Sequence, residues 1–332
     1  MKEHLLVTLA DRNFLDQAKQ LFSSVYWNAG WKGDYMLLAH EDVPEEGLRW
    51  FREKGILVYR CEALSGWECA GAWGHPSAVL DKFYIFTPYF KQWKHVVYLD
   101  GDIIVRASLD RLLNVKGFAA PNAHATPLRK EFVKCTRENR SLFRELKREY
   151  PLKGIAFNSG IMAINTDIIE NDTFEKITAL YRRFGSLNKY GEEGTLNLFF
   201  YKKWELLSFL FNIYPFFAHK IYGVPYEKID GIALHFVRGS IIKPWLEASL
   251  FYKEWKRNLE KAEEIDLSKI PEGREMWPPE AEDKDYLLSL PARKFIGFYR
   301  RAFHAIDWMI GQIGILVKKL SPALYERIRI KK

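Results

Sequence analysis

HVVYLDGDIIV, residues His95–Val105, reads as the strongest buried strand of the chain, and two carboxylates, Asp100 and Asp102, interrupt it one residue apart. An apolar run of this kind suits a strand covered on both faces, as in parallel sheets. Upstream, HLLVTLA, DYMLLAH and GILVYRC are further short apolar runs. Between them, Phe14–Trp27 and Pro44–Lys54 have helical spacing, which Phe83–Phe90 resumes. Strands alternating with helices predict an α/β fold with a mostly parallel, doubly wound sheet. Such sheets bind ligands at the carboxyl ends of their strands, where Leu99 gives way to Asp100-Gly101-Asp102.

Downstream, Arg129–Tyr150 reads as a highly charged helical stretch, and GIAFNSGIMAIN (Gly154–Asn165) returns to the sheet. Trp204–Phe217 is apolar, and ALHFVRGSIIKPW (Ala233–Trp245) reads as a strand running into a loop. SGWECAGAWGHPS (Ser65–Ser77), rich in Gly and Trp, reads as a loop.

Two carboxylates at a strand exit can reach one divalent cation. Their hard oxygens suit Mg²⁺ or Mn²⁺, and such an ion can bridge a diphosphate. A solvated turn would carry the same residues, but the buried run VVYL before Asp100 argues against it. Haloacid-dehalogenase-type phosphatases also place D-x-D after a strand, usually followed by Thr and near the start of the domain. Here Ile104 takes the Thr position and 99 residues precede the motif. His235 ends a strand, where a satisfied core histidine is the bland alternative to a third metal ligand. Gly239 and Lys243 follow, a loop glycine and an ammonium of the kind that engage phosphate.

Four blocks, in order, resemble glycosyltransferase family 8: VTLADRNF, VVYLDGDIIV, FNSGIMAIN and HFVRGSIIKPW, within a stretch from about Leu5 to Trp245. The resemblance implies a GT-A-type, Rossmann-like sheet flanked by helices and retaining transfer of a hexose from a UDP-sugar. It implies that Asp100, Asp102 and His235 hold Mn²⁺ (or Mg²⁺), with Gly101 between the carboxylates. Leu9, Ala10, Asp11 and Phe14 match the stretch that holds uracil and ribose. Lys82 matches a basic residue on donor sugar and phosphate, Asn158 and Ser159 match residues on the sugar, and Gly239 and Lys243 match the diphosphate loop. Gly239 and Lys243 both fall slightly later than the family motif places them.

GEEGTLN is similar to the family loop Asp-Gln-x-x-Leu-Asn, with Glu192 at the Asp and Glu193 at the Gln. Residues here face the sugar ring, and retention can run by front-side attack or by a glycosyl–carboxylate intermediate. The bland alternative has both glutamates cap the helix predicted over Thr195–Tyr201.

Composition bounds the rest. The chain has 332 residues, 48% hydrophobic and 28% charged, as a packed globular protein does. Three scattered cysteines make no disulfide framework or zinc motif. MKEHLLVTLAD is too short and too soon charged for a signal peptide, and no apolar run approaches the roughly 20 residues of a spanning helix. The net charge of +8 sits in residues 291–332, with ten Lys/Arg against two acids; the first 290 residues balance 40 against 40. That distribution argues against a nucleic-acid face on the body.

From Phe295, apolar residues recur at helical spacing between basic clusters, with Trp308 among them. They fit an amphipathic helix on an anionic membrane surface; a helix packed on the body would show the same stripe. The predicted organisation is a catalytic domain over 1–270, a linker over 271–290 and a helical basic extension over 291–332. The expected setting is cytoplasmic, peripheral on the inner face of the membrane, with a glycan or glycolipid as acceptor. Two rivals are a sugar-1-phosphate nucleotidyltransferase, which should carry a Gly-rich triphosphate loop that ADRNFLDQ lacks, and an inactive membrane-tethered glycan-binding protein.

Overall fold

The computed structural model describes residues 1–62, 64, 69–220, 223–237, 243–275 and 320–321. Gly239, the tail stripe from Phe295 and all but the first residues of the expected linker lie outside the described residues. No described helix is long and apolar enough to cross a membrane.

The first half of the chain follows the expected alternation. Strand β1 (Lys2–Ala10), helix α1 (Leu15–Ser24), β2 (Asp34–Ala39), α2 (Glu45–Glu53) and β3 (Leu57–Arg60) come in turn. A two-residue hairpin, β4 (Cys69–Ala70) and β5 (His75–Pro76), stands where a plain loop was predicted. The segment expected to be helical before the central strand is two 3₁₀ stretches, Ser77–Phe86 and Pro88–Gln92. Strand β6 (Trp93–Leu99) and β7 (Ile103–Val105) then flank the Asp100–Asp102 turn.

The second half departs further. β8 (Phe118–Pro127) is long, and the single helix read over Arg129–Tyr150 is a 3₁₀ turn at Leu128–Glu131 and α3 (Arg140–Glu149). Its apolar positions fall in register only over the second part, where Phe143 and Leu146 are buried. GIAFNSGIMAIN splits into β9 (Ile155–Phe157) and β10 (Ile161–Asn165) around the Asn158–Gly160 turn. Then come α4 (Thr173–Phe184), α5 (Glu193–Phe199), β11 (Trp204–Leu207), α6 (Pro215–Lys220), β12 (Ala233–His235) and α7 (Tyr252–Lys261).

The main sheet runs in the order β11-β8-β10-β6-β1-β2-β3. The β1–β2, β1–β6, β2–β3 and β8–β11 pairs are parallel, whereas β10 lies antiparallel to both β6 and β8. The sheet is therefore mixed and mostly parallel; the reversed β10 sits beside the D-x-D strand, and β9 pairs antiparallel with β8 off this path. Alternation along the strands feeds two cores. Leu6, Val97, Leu99, Ile161 and Ala163 face one side, with α1 and α7; Leu5, Val7, Val96, Tyr98, Met162 and Ile164 face the other. Burial on both faces explains why His95–Val105 reads as a continuous apolar run.

The body reaches slightly past Ile270. Arg274 N–H donates to Asn28 C=O (2.7 Å), and Ser108 N–H donates to Arg274 C=O (2.9 Å). Gly30, with φ +61°, ends the helical segment after α1, and a Cβ there would meet Gly273 N at 2.3 Å. The close approach of the two backbones needs glycine at this position.

Candidate functional site

β6 delivers Asp100 at its carboxyl end, and the Gly101–Asp102 turn carries the chain into β7. β7 pairs antiparallel with β12, in a register that sets His235 opposite Ile103. That small ribbon brings His235 beside the turn, and Phe236 N–H donates to Asp102 C=O (3.0 Å) to close it. His235 Nε2 lies 3.1 Å from Asp102 Oδ1 and 3.8 Å from Asp100 Oδ2. The three ligand atoms all fall within 4.8 Å of one another.

Each of these side chains is braced from behind. Asp100 Oδ1 accepts from Tyr98 O–H (2.7 Å) and meets Lys82 Nζ (2.9 Å), which turns Oδ2 toward His235. His235 Nδ1 lies 2.8 Å from Asn212 Oδ1. Donation from Nδ1–H to that oxygen leaves Nε2 as the lone-pair nitrogen facing the carboxylates. Gly160 forms the floor, and Asp100 N–H donates to its C=O (2.8 Å). Burial would raise the Asp102 carboxyl, but Lys243 and His235 beside it outweigh that and hold it well below the usual range.

A second cluster adjoins the first through Lys82, whose buried ammonium bridges Asp100 and Glu192 Oε1 (2.6 Å). Burial alone would lower the Lys82 pKa; the two carboxylates reverse that and raise it. Ser159 O–H donates to Glu192 Oε1 (2.8 Å). Glu193 Oε2 accepts from Asn158 Nδ2 (2.8 Å) and Ser159 N–H (3.0 Å). Glu192 occupies the N-cap of α5 yet makes no side-chain cap bond. Both glutamates therefore turn away from their own helix end and toward the Asn158–Gly160 turn.

The structure thus gathers Asp100, Asp102, His235, Lys243, Lys82, Asn158, Ser159, Glu192 and Glu193 into one connected site. Leu9 and Phe14 adjoin it, since a Cβ on Gly101 would lie 3.7 Å from Phe14 Cδ1 and 3.9 Å from Leu9 O. Ala10 ends β1, and Asp11 turns back on the Asn13 N–H (2.8 Å). Lys243 Nζ pairs with Asp102 Oδ2 and donates to Phe236 C=O (2.6 Å), so it sits on the carboxylates themselves. Reading by sequence missed Tyr98, Asn212, Gly160 and Glu131. Asn212 had a usable signal, a lone amide inside an apolar run; Glu131 had none, being one charge among many.

The donor set fits a divalent cation. Two carboxylates and an imidazole are ligands Mn²⁺ accepts. Four carboxylates (Asp100, Asp102, Glu192, Glu193) face two ammonium groups (Lys82, Lys243), so the cluster holds negative charge for a cation to meet.

The model of glycosyl transferase family 8 matches residues 74–249, more than half of the chain. Glycosyltransferase GlyB of Streptococcus pneumoniae serotype 4 is 29% identical over 133 residues, which cover 39% of this chain and 27% of that protein. The match thus spans about a quarter of GlyB's length. Among solved structures, GlyE of S. pneumoniae TIGR4 superposes with TM-score 0.55 and 20% identity, covering 80% of this chain and 62% of that one. An active-site glutamine-to-glutamate mutant of LgtC superposes with TM-score 0.60 and 17% identity, covering 81% and 98%. The galactosyltransferase LgtC in complex with donor and acceptor sugar analogs gives 0.58 and 18%, with coverage of 81% and 98%. At these identities the structures bear out the GT-A fold, and the family model carries the rest: the chain belongs to glycosyl transferase family 8.

Proposed function

We propose that the chain transfers a hexose from a UDP-sugar to a glycan or lipid-linked acceptor with retention of anomeric configuration, using Mn²⁺ or Mg²⁺. The convergence of Asp100, Asp102 and His235 within 4.8 Å, at the carboxyl end of the central strand, carries this reading. The cation, when bound, supplies Lewis-acid stabilisation of the departing diphosphate. The Lys243 ammonium, on the same side of Asp102, adds positive charge where the diphosphate leaves. Asn158 and Ser159 hold the carboxylates of Glu193 and Glu192 on the sugar side, where negative charge favours an oxocarbenium-like centre. By resemblance Glu193 stands where the family motif has Gln, and it is the carboxylate best placed to act as brace or nucleophile.

The acceptor hydroxyl must reach the anomeric carbon in a site that excludes water. Exposed Trp73 and half-buried Tyr190, the latter just before α5, have ring centroids 5.2 Å apart, and the apolar faces of sugars stack on such rings. The basic tail over 291–332 supports a setting on the cytoplasmic face of an anionic membrane, where lipid-linked acceptors lie. Sedimentation with anionic vesicles tests that part: the full chain should pellet with them, and failure to do so refutes membrane association.

The deciding experiment is UDP calorimetry with and without Mn²⁺ on the wild type and Asp102→Asn. Binding that needs Mn²⁺ and collapses in the variant supports the reading. A folded wild type that ignores UDP in the presence of Mn²⁺ removes the UDP-donor claim.

A further inference from the structure

Behind Glu193 lies a fifth carboxyl group. Glu131 ends the 3₁₀ turn after β8 and is only 1% exposed. Its backbone is fixed by Lys189 N–H donating to its C=O (2.7 Å) and by the Phe132–Asn188 bridge next door, which tie it to the loop that leads into α5. That turn packs on α5, which sets its side chain beside Glu193, and its Oε2 has no hydrogen-bond partner among the described residues.

Two carboxyl groups buried side by side repel if both ionise, so one is favoured to keep its proton, and the contacts say which does. Glu193 Oε2 accepts from Asn158 Nδ2 and from Ser159 N–H, a donor set that solvates an anion. Among the described residues no hydrogen-bond donor meets Glu131 Oε2, and an ionised oxygen left bare at its depth would be heavily penalised even with the Lys189 charge nearby. As a neutral acid, Glu131 leaves only a carbonyl oxygen unpartnered, which costs far less.

We infer that Glu131 is a positioning residue: a buried, un-ionised carboxylic acid whose O–H donates to Glu193 and fixes it as the anionic group facing the donor sugar. The inference rests on the proposed reading of Glu193. Burial pushes the Glu131 carboxyl well above the usual range, and the Glu193 charge beside it adds to this. Burial also raises Glu193, while the bonds from Glu131 and the Ser159 N–H pull it back down. The arrangement keeps the sugar face to a defined number of charges, since a second ionised glutamate there would repel the first.

Infrared spectroscopy near neutral pH reads the proton directly. The wild type should show the carbonyl stretch of an un-ionised carboxylic acid, and Glu131→Gln should lose it. Absence of that band in the wild type, or its persistence in Glu131→Gln, overturns the assignment. The positioning role is read from the ratio of UDP-galactose and UDP-glucose affinities to UDP affinity, all with Mn²⁺. Glu131→Leu should weaken the sugar nucleotides relative to UDP by on the order of tenfold, the worth of a charged hydrogen bond, and Glu131→Gln, which keeps a donor, should restore most of it. An unchanged ratio in Glu131→Leu, with that variant folded, overturns the role. UDP calorimetry separates the two failures: UDP binding without the acid band sinks this inference alone, and the band without UDP binding sinks the donor-site reading beneath it.

Discussion

Gly160 lies so close under His235 that a Cβ added to it would stand 2.3 Å from the imidazole Cε1 and 2.8 Å from Asp100 Oδ2. The floor of the ligand triad is therefore as much a part of it as the ligands are. Gly160→Ala must displace His235, Asp100 or both. We expect Mn²⁺-dependent UDP affinity to fall at least about tenfold, with a stability loss in the overpacking range of about 1–3 kcal/mol. Calorimetry and thermal melting check both; unchanged metal dependence would mean the triad is not the cation site.

Asn212 sets the orientation of His235 through the 2.8 Å contact to Nδ1. Asn212→Leu frees the ring, and Mn²⁺ titrations at fixed UDP should show a loss of about 10–100-fold. Asn212→Asp keeps an acceptor oxygen and should lose less. Equal losses in the two variants would show that orientation is not what Asn212 provides.

Lys82 is a buried ammonium between two carboxylates, Asp100 and Glu192. Lys82→Met leaves both uncompensated and should cost about 3–5 kcal/mol in denaturant unfolding. Adding Glu192→Gln removes one of the stranded charges, so the double variant should recover part of the loss. A double variant less stable than Lys82→Met would contradict the bridge.

Glu131 gives a pH signature with a definite sign. Its folded pKa lies well above the ordinary 4.5, so unfolding releases a proton at any pH between the two values. The stability it contributes is fully present below 4.5 and is lost as pH rises toward the folded pKa. The slope of that loss is about 1.4 kcal/mol per pH unit. Glu131→Gln lacks the group, so its melting point should gain on the wild type as pH rises above 4.5. A difference that stays constant with pH would show that the carboxyl is not held neutral.

The central strand and its ligands were legible because their signals are local. The apolar run, the spaced carboxylates and the histidine at a strand end each sit within a few residues. The reversed β10 was not legible, since strand direction is decided by partners distant in the chain rather than by alternation. The split of Arg129–Tyr150 was hidden by charge, which masks where helical periodicity lapses. Glu192 and Glu193 looked the same as helix caps and as site carboxylates. Only the positions of Asn158, Ser159 and Lys82 around them show that the side chains turn from the helix end into the cluster. Glu131 could not be found at all, because its meaning comes from depth, and depth is not written in a run of alternating charges.

Asp102 and Lys243 meet across 141 residues of chain. During synthesis the sheet through β10 can assemble while that lysine has yet to leave the ribosome, and His235 with it. A nascent or truncated chain that has folded its first strands therefore still lacks two of the cationic or neutral partners of its carboxylates. Such an intermediate carries bare negative charge at the Asp100–Asp102 turn until residues 235–243 arrive. The order of translation itself thus leaves the charge balance of the cluster to be completed late.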